Sequence, residues 1–384
     1  MSPSSRRLMV LPLVALLLGL AAWFMSRNET PLHAGPPATV TFPTEMTPRE
    51  EARARARRTH RPPAAPNAPA PGAPVDPLLA VLPTDPGAGA VVLEANAIRN
   101  SPLGETLLAC MGGRRQLDMM RERTGVDPLN DLDRMAITTE GVSLTGHFGE
   151  ADWDALFPDA SRSARGDQGR IYELPDEGVR GENRRAVGVW GNSMVVLGTP
   201  EEVEAALDRL EGGGPRGTPI LDASQAYGEV YGVIGGDTLA MMLGRGGGLG
   251  DQLPPELRDA ASRLELHADT RSDVGVVARF EGEDPTRVEE LGKTFKGLLS
   301  VARAQAQLEG EPDAVRLLDM ARVSHGEAGF DLQLAVPQSF LEEMAERCRV
   351  EHQAREEAAE RARAEGEALP EPQTPTAAPE REEL

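Results

Sequence analysis

The sequence predicts an α+β fold: two duplicated halves built from β-hairpin–helix units, antiparallel sheets with helices on one face, and an N-terminal transmembrane helix. Three observations predict it. A unit of strand, tight turn, strand and capped helix, read first in AVGVWGNSMVVLGTPEEVEAALDRL (186–210), recurs along the chain. An uncharged apolar stretch stands ahead of the repeats, and blocks of Pro, Ala and charge flank them. Hairpins pair their strands antiparallel and leave one sheet face for helices to cover.

The N-terminus sets the compartment. Residues 1–7, carrying Arg6 and Arg7, read as a basic cytoplasmic flank, and LMVLPLVALLLGLAAWFM (8–25) follows without a charge. As a helix it spans roughly 27 Å, close to the hydrocarbon thickness of a bilayer. Trp23 and Phe24 stand at its far end, where aromatic rings favour the interface. Charge bias places the arginines inside and the bulk outside, as in a single-pass protein of the bacterial inner membrane with its body in the periplasm. A signal peptide cleaved after GLAA (19–22) is the competing reading, and no Cys follows to make a lipoprotein.

Residues 26–76 read as a disordered linker rich in Pro, Ala and Arg. HRPPAAPNAPAPGAPVDP (60–77) favours extended polyproline conformation and builds no core. Fully extended, about 50 such residues reach on the order of 150 Å. The six arginines of REEARARARRTHR (49–61) are solvated linker or a contact for anionic headgroups.

The body divides at 77–217 and 218–348. In the first unit quoted, WGNS supplies the Gly and Asn of a two-residue hairpin turn. Thr199 then reads as N-cap, Pro200 as the first helical residue and Glu202 as the reciprocal carboxylate of a capping box. Val203, Ala206, Leu207 and Leu210 form the buried stripe. Residues 321–347 repeat the plan, with Leu332, Leu334 and Val336 alternating against Asp331, Gln333 and Ala335 before Pro337. Residues 263–299 repeat it through Leu264, Leu266, Val274, Val276, Ala278 and Phe280, then EDPTRVEELGKTFKGLL. A fainter copy runs from Arg134 to Phe157 with Val142, Leu144, Gly146 and Phe148 on one face. The copies align in pairs, 146–156 with 278–291 and the first unit with the last, which implies an ancestral half used twice. EEMAERCRVEHQAREEAAERARAEGE (342–367) is helix-forming, with Glu343/Arg347, Glu351/Arg355 and Glu357/Arg361 at i, i+4, and residues 349–384 are an acidic helical extension running into a disordered tail.

Composition narrows the function classes. A formal net charge of −21 argues against nucleic acid as a partner, since phosphate binding needs clustered basic side chains. The six histidines are scattered with no metal-ligand spacing, so no metal site and no cofactor are assigned. GGGPRG (212–217) follows a helix where the dinucleotide fingerprint follows a strand, and reads as a helix terminator. GRGGGLGD (244–251) lacks the Lys of a phosphate loop, and DPLNDLD (127–133) lacks the Gly and Glu of a calcium loop. No GxSxG elbow or SxxK segment appears, and no catalytic residue is assigned. Cys110 and Cys348 can pair in an oxidising compartment, or serve as two small buried apolar residues.

Alternation along the hairpins nominates one surface. Ser143, Thr145 and His147 share the face opposite the apolar one, and so do Glu265 and His267. That face is either solvated or a binding surface.

LPTDPGAGAVVLEANAIRNSPLGETLL (82–108), with its LPxD start, strand, and SPL leading a helix, resembles the opening of uncharacterised membrane-tethered bacterial envelope proteins. The resemblance implies an exported α+β domain and transfers no catalytic residues. The expectation is therefore a non-enzymatic, membrane-anchored envelope protein that binds or scaffolds an envelope protein or cell-wall partner. The alternative is a ligand binder or hydrolase using a cleft between the halves.

Overall fold

The computed structural model describes residues 42–60, 74–110, 124–175, 184–212, 218–245, 259–326 and 329–367, with single positions at 40, 117–118, 121–122, 254 and 257. The expected anchor (8–25), Arg6 and Arg7, most of the Pro/Ala tract and the tail beyond 367 lie outside the described residues. Among the described residues no helix is long and apolar enough to cross a membrane.

The chain begins with α1 (Pro48–Ala56) and α2 (Pro77–Ala80), then β1 (Gly89–Leu93), α3 (Ala95–Arg99), α4 (Pro102–Cys110), β2 (Leu132–Thr138) and β3 (Gly141–Gly146). After α5 (Trp153–Leu156) come β4 (Ser161–Arg165), β5 (Gly169–Glu173), β6 (Ala186–Trp190), β7 (Met194–Gly198) and α6 (Pro200–Leu210). The rest is β8 (Val230–Gly235), α7 (Gly236–Arg245), β9 (Arg263–Asp269), β10 (Val274–Glu281), α8 (Pro285–Glu309), α9 (Pro312–Asp319), β11 (Ala321–His325), β12 (Gly329–Val336) and α10 (Gln338–Glu367).

Among the described residues all strands join one 12-stranded sheet in the order β11-β12-β10-β9-β8-β1-β2-β3-β7-β6-β5-β4. Every neighbouring pair is antiparallel. The architecture is α+β with a large antiparallel sheet. From the central β1–β8 ladder, one arm runs β1-β2-β3-β7-β6 and the other β8-β9-β10-β12-β11, with the hairpin β4–β5 added to the first. Where a cleft was expected, the backbones pair from Gly89↔Ile234 to Leu93↔Val230.

Local signals in the first-quoted unit act as read. Thr199 Oγ1 accepts from the Glu202 backbone N–H, and Glu202 accepts from that of Thr199 at 2.8 Å. Val203, Ala206, Leu207 and Leu210 are all buried. The turn differs by one residue: Trp190 pairs with Met194, so Gly191, Asn192 and Ser193 make a three-residue loop. Gly191 takes φ 57°, which a side chain resists.

The expectation of helices on one face fails. Val91, Ile137, Leu264, Leu266, Phe280 and Phe330 form one apolar layer with Val288, Leu291 and Phe295 of α8. The opposite layer is Ala90, Val92, Ala136, Ile171, Val196, Tyr231 and Val233 under Val203, Leu207 and Leu210 of α6. The two sides are called here the α8 face and the α6 face. Helix α10, which follows the corresponding hairpin of the second arm, packs Phe340, Leu341 and Met344 with Val274 and Val336 on the α8 face instead. Hydropathy decides the difference. Strands β6 (AVGVW) and β7 (MVVLG) are apolar on both sides, as a strand covered twice must be. At Gly188 a Cβ would lie 2.6 Å from Val203 Cγ1, so the missing side chain seats α6. Strands β9, β10 and β12 alternate and offer α10 no apolar layer on the α6 face.

The expected linker is also partly built. Helix α1 carries a full capping box of Thr47 and Glu50, and Glu50 Oε1 also accepts from Gly228 N at 2.9 Å. Arg57 forks onto Glu94, with Nη1 2.7 Å from Oε1, and the Tyr231 hydroxyl donates to the same oxygen at 2.9 Å. On the neighbouring strand, Arg134 forks onto Asp76 at 2.6 and 2.8 Å, both side chains being buried. His60 and Val75 exchange backbone hydrogen bonds at 3.2 and 2.7 Å, so the Pro/Ala tract starts and ends at one point on the sheet. His60 Nε2 then donates to the Leu210 carbonyl at 2.7 Å.

At the other end Cys110 of α4 and Cys348 of α10 are disulfide-bonded, with Cα atoms 4.9 Å apart. Of the helical ion pairs expected, Arg355–Glu351 forms at 3.6 Å. Glu343 turns to Arg316 of α9 at 3.0 Å, and Arg347 to Asp313.

Breaking the buried Arg134–Asp76 fork leaves an uncompensated charge. Arg134→Met should therefore lower unfolding free energy by about 3–5 kcal/mol in urea denaturation. Adding Asp76→Leu should restore most of it, short of the ~1 kcal/mol lost with the Asp76 cap on Leu78.

Candidate functional site

The five nominated polar residues separate into three places. Ser143 and Thr145 lie on the α6 face of β3 but are buried, Ser143 between Ala136 and Val196, Thr145 between Arg134 and Met194. They are structural parts of the layer beneath α6. His147 lies past the end of β3 with its side chain 79% exposed and Nδ1 3.8 Å from Asp133. Glu265 and His267 lie on the same sheet face, but β9 is four strands from β3, about 19 Å away.

Around His267 the structure does assemble a cluster. Its Nε2 lies 2.9 Å from Glu265 Oε1, and its Nδ1 3.2 Å from the Tyr227 carbonyl oxygen. Each ring nitrogen faces an acceptor. The Tyr227 ring lies flat on the imidazole, centroids 3.7 Å apart and planes 4° apart. The hydrogen bond from His267 outweighs burial and holds the Glu265 carboxyl below its ordinary range. Burial, with the Glu265 charge beside it, pushes the Tyr227 phenol up to about 12. With both ring nitrogens engaged and its ring covered, His267 is an anchor for this surface.

What faces outward is set by register. One cross-strand row runs Glu265, Arg279, Asp331, Ser324, and the next runs His267, Val277, Gln333, Arg322. Arg279 Nε lies 3.3 Å from Asp331 Oδ1 and keeps its side chain 40% exposed. Arg322 and Ser324 are exposed, and Gln333 is half-buried. The first row is polar throughout, and the second is interrupted by the buried Val277. Sequence alternation found Glu265 and His267. It missed Tyr227, which precedes its strand, and the Arg279–Asp331 pair, which only the β10–β12 register brings together.

A second cluster had no sequence signal. Glu229, only 2% exposed, accepts from Thr270 N at 2.9 Å and lies 3.8 Å from Arg271 Nε. Burial pushes the Glu229 carboxyl up. Burial also acts on Asp269, but the Arg271 hydrogen bonds outweigh it and hold that carboxyl low, with Glu229 bonded to it. The cluster sits where α1, β8 and the β9–β10 turn meet.

Among the described residues no group of three or more His, Cys, Asp and Glu could hold a metal ion. Comparison of the chain with family models, with curated proteins and with solved structures found no match.

A carboxyl raised in the folded state contributes its stability below the unfolded value, about 4.3, and loses it as pH rises through the folded one. Glu229→Gln keeps the acceptor for Thr270 and removes that loss. It should leave stability near pH 4 unchanged and raise it at pH 8 by up to about 1 kcal/mol, read from thermal melts across pH.

Proposed function

We propose that this chain is a single-pass, membrane-anchored envelope protein with its body in the periplasm, acting without catalysis as an interaction or scaffold module. The observation that carries the compartment is the Cys110–Cys348 bond. Such bonds persist in oxidising compartments and are rare in the bacterial cytosol, which agrees with the apolar stretch at 8–25 behind Arg6 and Arg7. The outward groups Arg279, Arg322 and Ser324 support a binding surface, since among the described residues no helix layer covers them, while Glu265 and His267 are spent on internal bonds. On this reading the partner is an envelope protein or a cell-wall polymer, and nucleic acid is not a partner.

Two measurements test it. In the full chain expressed in bacteria, both thiols should resist maleimide labelling until reduced, whereas deleting residues 1–25 should leave both labelled. Free thiols in the full chain would place the body in the cytoplasm. A photo-cross-linker at Gln333 in intact cells should capture one envelope protein or wall fragment in stoichiometric yield, and Arg322→Glu should cut that yield at least several-fold. Capture of only lipid or a small molecule would replace the scaffold by a ligand-binding or hydrolytic role.

A further inference from the structure

Helix α8 is held to the sheet by Val288, Leu291 and Phe295, and Ala306 is buried near its far end. Its opposite side carries Gly297, Val301, Ala304 and Leu308, spaced four, three and four, which puts them in one line along the helix. All four are exposed. Val301 is 59% and Leu308 89% exposed, two of only four large apolar side chains so placed among the described residues. The solvent side of a surface helix is ordinarily charged. Here residues 297–308 (GLLSVARAQAQL) contain one charge, Arg303, and no acid, in a chain of net charge −21.

We propose that this seam pairs with the same seam of a second copy of the chain, antiparallel, about a twofold axis passing between Val301 and Ala304. Size sets the register. Antiparallel pairing lays Gly297 against Leu308 of the other copy and Val301 against Ala304, large on small at all four levels. A parallel pair would set Leu308 on Leu308 and leave a gap between two glycines. Charge acts in the same direction. Lys293 is paired with Glu289 on its own helix at 2.8 Å, but Lys296, on the N-terminal side of the seam, comes level with Glu309 of the other copy in the antiparallel arrangement. That arrangement opposes the two helix dipoles as well. One self-complementary patch used twice is the ordinary isologous contact of a closed dimer. Lacking acids, the seam is also the part of this surface where two copies repel least. A seam of four residues falls below the ~1,200 Å² of a standard interface, so the pair is weak in dilute solution.

The test uses the full-length chain in its membrane, with the two native cysteines bonded to each other. Ala304→Cys places its thiol about 4.5 Å along the axis from its twofold mate and should give a disulfide-linked dimer under mild oxidation. Glu290→Cys, on the same solvent side but about 37 Å from its mate, should not. Adding Leu308→Glu to Ala304→Cys should lower the dimer yield at least tenfold, with an unchanged melting curve showing that the fold is intact. The proposal fails if Ala304→Cys stays monomeric or links to a different protein, if Glu290→Cys links equally well, or if Leu308→Glu has no effect. Because the readout is position-specific cross-linking between copies, the proposal survives even if the maleimide test places the body in the cytoplasm.

Discussion

The ladder between β1 and β8 is the constraint on which the rest of this molecule depends. Both strands are buried on both sides, so their backbone groups have no water to bond and must find one another. That pairing turns two separately hydrophobic arms into one sheet and fixes where every other strand lies. It also sets Glu94, at the end of β1, beside Tyr231 of β8 and opposite Arg134 of β2. Two acids, two arginines and a phenol then meet in a place with little water. Each is satisfied by a partner, and two of them, Arg57 and Asp76, come from the segment ahead of the sheet. The N-terminal arm is therefore a component of the folded body.

The two arms share strand order and differ in what covers them. In the first, α6 crosses to the side that its own hairpin has made apolar. In the second, the corresponding side carries Arg279, Asp331 and Gln333, and α10 stays on the α8 face, where Phe340, Leu341 and Met344 pack with Val274 and Val336. The disulfide then fixes α10 to α4, the helix that follows the central strand of the other arm. Among the described residues no helix then lies over the polar side of the second arm, because the helix that covers its counterpart has another place to pack.

Much of this was legible in local sequence. Thr199-Pro200 with Glu202, and the stripe from Val203 to Leu210, locate α6 because capping and a 3.6-residue period are short-range properties. Leu332, Leu334 and Val336 locate β12 for the same reason. The side on which a helix packs was also written, less visibly, in the unbroken apolar runs of β6 and β7 against the strict alternation of β12. Long-range pairing was not legible. Nothing near Gly89 or Val230 announces that these strands are mates, because their register depends on residues more than a hundred positions apart. The site shows the same division. Glu265 and His267 are read from alternation, but Tyr227 reaches His267 only through the β8–β9 ladder. Composition misled at α1: an arginine-rich stretch beside a Pro/Ala tract looks like linker until Glu50 and Arg57 meet carboxylate-hungry and cation-hungry sites on the sheet.

The docking of α1 changes the geometry of the proposed anchorage. Because His60 and Val75 are bonded to each other, the Pro/Ala tract closes on itself and adds nothing to reach. Counted from the proposed span at 8–25, only residues 26–41 separate it from the docked segment, a chain length of at most roughly 50 Å, where the whole segment would have allowed about 150 Å. Confinement volume scales with the cube of that length. With the proposed anchor, a partner in the same bilayer would meet this body at an effective concentration of roughly millimolar, more than tenfold above what the longer span would give. Contacts too weak to persist in free solution become occupied under such crowding, and a partner standing far from the bilayer falls out of range.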